Sequence, residues 1–246
     1  ARRDRLWNHE GASSCSLCIA LHSIRRDGIM ANRGQLHRAT LPLIPTRGNG
    51  TTHPSDVLTF TKDLRMFFDT NGIRLAYDDH GTGLPLVFLH AFPLNRSMWS
   101  PQVAALSRQF RTIAVDLRGH GESDAPLWNF SLDHYADDVC ALLDHLAIPQ
   151  AVLVGLSMGG YVCLAFSRTY GNRMMGLVLA DTRAQADSSE GRTGRLNLAQ
   201  TAYRQGSDAV ADIMLPKLLG ATSLRQNPQL VEYVRRTIRQ TPVSGV

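Results

Sequence analysis

The sequence predicts an α/β fold: a mainly parallel β-sheet with helices on both faces and a helical lid at one end. Three observations carry this expectation. From Met66 onwards short apolar runs alternate with amphipathic stretches, and that order implies right-handed crossovers and a covered parallel sheet. The runs "LPLVFLHA" and "AVLVG" are continuously apolar, as strands buried on both faces are. After Asp181 the alternation stops and only helical periods remain.

Residues 1–65 stand apart. Arg, Ser, Gly, Thr and Pro are scattered there without a strand or helix period. The segment holds ten Lys+Arg against five Asp+Glu, leaving sixteen of each in residues 66–246. The net charge of +5 is therefore a property of this head, which argues against a nucleic-acid groove. The apolar core of "CSLCIALHSI" is short, polar-speckled and preceded by Asp4 and Glu10, unlike a secretory signal. We read residues 1–65 as a disordered or non-native head in front of a natural start at Met66. Cys15 and Cys18 form a C-x-x-C, but no second pair supplies a zinc site and no βαβ frame supplies a redox one.

The elements then follow in order. "MFFDTNGIRLAYDDHG" reads as a hairpin around Asn71-Gly72, a strong turn signal. "LPLVFLHA" is a buried strand, "SMWSPQVAALSRQF" a helix and "RTIAVD" the next strand, followed by the polar turn "LRGHGESD". "SLDHYADDVCALLDHLAI" is an amphipathic helix with Ser131 as its cap and Asp133 and Asp137 near its positive end. "AVLVG", "MGGYVCLAFSRTY" and "GLVLAD" give strand, helix, strand. Cys140 and Cys163 fall in the helices and read as buried free thiols, a usage that fits a reducing, cytoplasmic setting. In residues 183–246, "DAVADIMLPKLLG" and "PQLVEYVRRTIRQ" carry helical periods, the latter with Val231, Val234 and Ile238 on one face. This part is expected to sit over the carboxyl ends of the strands as a lid. No apolar run reaches the roughly 18 residues a membrane helix needs.

"VLVGLSMGGYV" places a serine between glycines where a strand meets a helix. The spacing Gly155-Leu156-Ser157-Met158-Gly159 is that of a nucleophile elbow. Side chains at the flanking positions would collide with the neighbouring strand and helix. The tight turn lifts the serine hydroxyl out of the sheet and aims the following N–H groups at whatever it attacks.

Three motifs in order, "HAFPLNRSMW", "DLRGHGESD" and "GLSMGG", each after an apolar strand, make the chain resemble the α/β-hydrolase superfamily. The likeness covers residue 66 to the end, and is to the group of small lid-bearing esterases, lactonases and cofactor-free haloperoxidase-like proteins. "TAYRQGSDAVADIMLPKLLG" and "NPQLVEYVRRTIRQTP" also look like the lid of 3-oxoadipate enol-lactonase relatives. The resemblance implies Ser157 as the nucleophile, with the N–H groups of Met158 and Phe92 as the oxyanion hole. His-Gly is usual in the family where this chain has His90-Ala91. His90 and His120 are implied to be structural, and Asp116 and Arg118 to tie down the loop after the fourth strand. Asp181 stands where some members keep the triad acid. Phe92, Met98 and Trp99 line an acyl pocket or pack in the core. No metal and no cofactor are implied. The partner is a small ester or lactone, with no nucleic acid, no membrane, and an undetermined oligomeric state.

In this superfamily the triad runs Ser, acid, His along the chain, yet no histidine follows Ser157. We therefore expect a C-terminally truncated fragment, missing the last strands, with an incomplete lid over 183–246 and a core over 66–182. A serine hydroxyl with no group to take its proton is a poor nucleophile, so the chain alone is expected to be inactive. The alternative reading is a non-catalytic pseudoenzyme or binding module that retains the elbow.

Overall fold

The structure is a computed structural model that describes residues 66–246; the expectations for residues 1–65, including Cys15 and Cys18, lie outside them. A six-stranded sheet runs in the order β1-β2-β4-β3-β5-β6. Strands β1 (Met66–Thr70) and β2 (Ile73–His80) form the expected hairpin. Its turn has positive φ at Asn71 (48°) and Gly72 (73°), the conformation that Asn-Gly adopts readily. β2 is antiparallel to β4 (Arg111–Val115). β3 (Pro85–Leu89), β5 (Ala151–Leu156) and β6 (Met174–Ala180) continue the sheet in parallel.

The apolar runs are two-faced because successive side chains leave a strand on opposite sides. In β3, Val87 and Leu89 enter one core with residues of α2 (Leu132–His145) and α3 (Met158–Tyr170). Leu86 and Phe88 enter a second core with Trp99 and with Val103 of α1 (Ser100–Leu106). Helices thus cover both faces. Each such Leu or Phe, fully buried, contributes about 1.5–3 kcal/mol. The stretch expected as one helix before β4 is a 3₁₀ turn, Arg96–Trp99, followed by α1, with Pro near its start. Ser131 caps α2 as expected, but His134 completes the capping box: its Nδ1 accepts the Ser131 N–H at 3.0 Å.

The C-terminal helices are α4 (Ser189–Leu218), α5 (Ala221–Gln226) and α6 (Pro228–Arg239). α4 is broken at Gly206, where φ is 78°. These helices form an apolar cluster of their own, with Ala202, Val210, Leu215, Val234 and Ile238 buried and Val231 packed against them. Leu94, from the loop after β3, reaches into that cluster. Among the described residues no helix is long and apolar enough to cross a membrane.

Candidate active site

Ser157 lies at the joint of β5 and α3 with φ 50° and ψ −108°. A non-glycine residue with such a backbone is held there by its surroundings. Two contacts explain the flanking glycines. A Cβ on Gly155 would lie 2.4 Å from the Gly159 carbonyl oxygen of α3, and one on Gly159 would lie 2.1 Å from the Leu89 carbonyl oxygen of β3. Strand and helix meet at backbone distance, so the turn between them has no freedom to relax. The turn is also bonded to the end of β6. The Ser157 N–H donates to the Ala180 carbonyl at 3.0 Å, and the Thr182 hydroxyl donates to the Ser157 carbonyl at 2.8 Å. The Ser157 hydroxyl makes no capping bond to α3.

Met158 is the first residue of α3, so its N–H has no intrahelical carbonyl to bond and sits at the positive end of the helix dipole. Ser157, Met158, Phe92 and His120 line one cavity of about 1480 Å³, to which Leu198 and Met214 of α4 also contribute. Ser157 and the two residues expected from the resemblance as oxyanion donors, Phe92 and Met158, thus share this cavity. Of the three residues weighed for an acyl pocket, only Phe92 lines this cavity. Trp99 is buried against Phe88, ring centroids 5.2 Å apart, and Met98 packs in the same core. Met98 also takes the Ala91 N–H on its sulfur at 3.3 Å.

The two candidate histidines are buried in loop scaffolding. His90 donates from Nδ1 to the Ala91 carbonyl at 3.0 Å and accepts the Leu117 N–H on Nε2 at 3.0 Å. Both ring nitrogens are committed, and burial pushes its pKa down to about 4. His120 donates from Nδ1 to the Arg118 carbonyl at 3.1 Å, while its Nε2 is buried without a hydrogen-bond partner among the described residues. Burial, and then the neighbouring His90, lower its pKa to about 3. Groups that hold protons this weakly are poor general bases near neutral pH.

Asp116 and Arg118 do tie down the loop after β4. Arg118 meets Asp138 of α2 with two bonds of 2.6 Å, both side chains buried, and Asn71 adds a bond of 3.0 Å to the same carboxylate. Asp116 accepts the N–H of Arg96 at 2.7 Å and that of Glu122 at 2.8 Å. It also pairs with the Arg96 guanidinium, which in turn lies 3.0 Å from Asp78 and 2.6 Å from Glu122. Nothing in the local sequence pattern flags Arg96, yet it joins the loop after β3 to the loop after β4. Asp181 follows β6 with φ 41°; it is exposed and forms no ion pair among the described residues. No cluster of three or more His, Cys, Asp or Glu side chains suited to a metal occurs among the described residues.

A serine with positive φ stands at a strand-to-helix joint of a mixed sheet covered by helices on both faces. The chain belongs to the alpha/beta hydrolase fold family, whose profile matches residues 85–246. It is 31% identical over 160 residues to 3-oxoadipate enol-lactonase 2 of Acinetobacter baylyi, covering 65% of this chain and 59% of that protein. The chain thus spans about six-tenths of the length of this curated relative. Among solved structures it is similar to a thermophilic esterase from Thermogutta terrifontis, with 42% identity and a TM-score of 0.69, covering 74% of this chain and 69% of that one. The enol-lactonase from Burkholderia xenovorans LB400 is similar at 31% identity and a TM-score of 0.67, covering 73% and 70%.

Proposed function

We propose that this chain carries the nucleophile and the oxyanion donors of a serine hydrolase for small carboxylic esters or lactones. Ser157 attacks the carbonyl carbon, and the oxygen of the tetrahedral intermediate takes its hydrogen bonds from the N–H groups of Met158 and Phe92. The alcohol, or the ring oxygen of a lactone, leaves with a proton. Water then attacks acyl-Ser157, which releases the acid and regenerates the hydroxyl. The chemistry asks for no metal and no cofactor. Helices α4–α6 act as the lid, and the setting is cytoplasmic.

The observation that carries this reading is the Ser157 backbone, φ 50° and ψ −108°, held at the start of α3 on the cavity wall. Strain of this kind persists where the surroundings over-determine it, and it clusters at active sites. The esterase and enol-lactonase relatives support ester and lactone carbonyls as the target.

Among the described residues, His120 is the only histidine that lines the cavity with Ser157. No histidine follows Ser157, His90 has both nitrogens committed, and His120 is bonded to the Arg118 carbonyl, with no hydrogen bond to Ser157. We propose that the base and its acid partner come from residues outside these 246, and that the chain alone is nearly idle. Loss of the base forfeits about 10⁶-fold, while the remaining donors keep about 10³–10⁴-fold over water. The test is p-nitrophenyl acetate hydrolysis by two proteins. The chain as it stands should run close to background. A version lengthened past Val246 to bring an Asp and a His to the site should turn over. Vigorous Ser157-dependent hydrolysis by the chain alone would refute the missing-base reading. Idleness of both would favour the non-catalytic binding module.

A further inference from the structure

The loop Ala91–Ser97, which carries the Phe92 N–H, is gripped on two sides. On the core side Asp116 takes the Arg96 N–H at 2.7 Å. On the lid side three side chains reach it from α6 and the turn that follows. The Thr241 hydroxyl donates to the Pro93 carbonyl at 3.0 Å, Asn95 donates to the Gln240 side chain at 3.2 Å, and the Tyr233 hydroxyl donates to the Ser97 hydroxyl at 2.7 Å. Thr241 is fully buried, and Asn95 is 7% exposed. Thr241 is bonded again: its carbonyl accepts the Ser207 hydroxyl at 2.6 Å. Ser207 directly follows Gly206, the break in α4. A continuous path of hydrogen bonds therefore runs from the break in α4 through Thr241 to Pro93, whose ring nitrogen closes the peptide bond with Phe92.

We infer that Thr241 is a positioning residue for the Phe92 oxyanion donor, and that through it the seating of the lid sets the register of the oxyanion loop. The inference rests on the proposed role of Phe92. The physical reason is geometric. An N–H stabilises an oxyanion only when it lies within hydrogen-bond distance of the place where charge develops, and a displacement of about 1 Å costs about 10²-fold. Within residues 92–95 the Leu94 N–H closes a turn onto the Ala91 carbonyl at 2.9 Å, the Leu94 side chain packs against the lid helices and Asn95 bonds Gln240, but none of these holds the Pro93 carbonyl. The Thr241 bond adds a hold on the carbonyl of Pro93, the residue that follows the donor. The hydroxyl is what matters here, because the methyl group of threonine can be matched by valine.

The test compares Thr241→Val with Thr241→Ser. In the chain as it stands, hydrogen exchange should quicken about tenfold or more at the amides of residues 91–97 in Thr241→Val, with no change in α2 or β5. Thr241→Ser should restore protection to within about twofold. In the lengthened, active version Thr241→Val should lower kcat about tenfold with KM nearly unchanged, and Thr241→Ser should recover it. Unchanged exchange over 91–97 would overturn the inference. So would a uniform rise in exchange across the domain, which marks a merely structural role. An equal loss of activity in both variants would also overturn it. The exchange arm does not depend on Ser157. If loop protection follows the hydroxyl while turnover proves indifferent to Ser157→Ala, the coupling stands and the nucleophile reading fails.

Discussion

The elbow around Ser157 and the loop around Phe92 face the same cavity, but they are held in different ways. The elbow is fixed by backbone packed on backbone. Gly155 and Gly159 leave no room for a Cβ, and the residues involved lie within a few positions of the serine or on the adjacent strand. The Phe92 loop is held by side chains from elsewhere: Asp116 after β4, and Tyr233, Gln240 and Thr241 on and after α6. Steric fixation is all-or-none, because a packed core is bistable rather than deformable. Fixation by separate hydrogen bonds can be loosened one bond at a time. Ser157, the proposed nucleophile, thus sits in the rigid half of the candidate site, and the Phe92 loop, the proposed oxyanion donor, in the adjustable half.

That contrast can be broken at several points. The largest effect is expected from Gly159→Ala, whose Cβ would lie 2.1 Å from a strand carbonyl. Overpacking against rigid backbone costs about 3 kcal/mol or more, and this variant should lose cooperative urea unfolding or soluble expression. A parent-like unfolding curve would mean that the elbow yields after all. Next comes Asp116→Ala, which strands the Arg96 guanidinium with two partly exposed carboxylates. Removing one partner of a buried pair costs about 3–5 kcal/mol, and the low end is expected here because Asp78 and Glu122 remain. The urea midpoint measures it.

Acid should act through the histidines behind the loop. His90 is held at about 4 and His120 at about 3, both below the ordinary 6.5. The unfolded chain therefore takes up these protons first. Their contribution is fully present above about pH 6.5 and is lost as pH falls through the folded values. For His90 alone the loss amounts to about 3 kcal/mol by pH 4. Urea midpoints between pH 7 and pH 4 should fall accordingly, and a flat profile would show that the rings accept protons within the fold. The smallest effect is expected at Thr182→Val, which removes one hydroxyl bond to the Ser157 carbonyl. A single such bond is worth about 1 kcal/mol. If the elbow is fixed sterically, Ser157 reactivity in the active version should be unaltered while the urea midpoint drops slightly.

The same division decides what could be read from the sequence. The strands of the sheet, the Asn71-Gly72 turn and the elbow were legible because their causes are local: apolar runs, a turn dipeptide, glycines at fixed spacing. The expectation for Phe92 and Met158 came from the family resemblance that the motifs carry; both line the cavity with Ser157. Arg96 and Thr241 were not legible. Their partners stand 20 and 148 positions away, and neither residue type marks a buried clamp. The first half of α4 escaped notice for another reason. From Ser189 to Gln205 only Ala202 is buried, with Leu196 and Tyr203 exposed, so no apolar period announces a helix. His134 as the capping-box partner of Ser131 was missed because acids nearby suggested a simpler dipole effect.

Whether Ser157 is the nucleophile that takes up the acyl group is read most plainly by acyl trapping. The lengthened, active version is quenched in acid during turnover of p-nitrophenyl acetate and digested, and the peptide spanning β5 and α3 is weighed. The account predicts an acetyl group on Ser157, formed and lost at rates matching turnover, and neither adduct nor turnover in Ser157→Ala. Sustained hydrolysis with no adduct on Ser157, unaltered in Ser157→Ala, would contradict it.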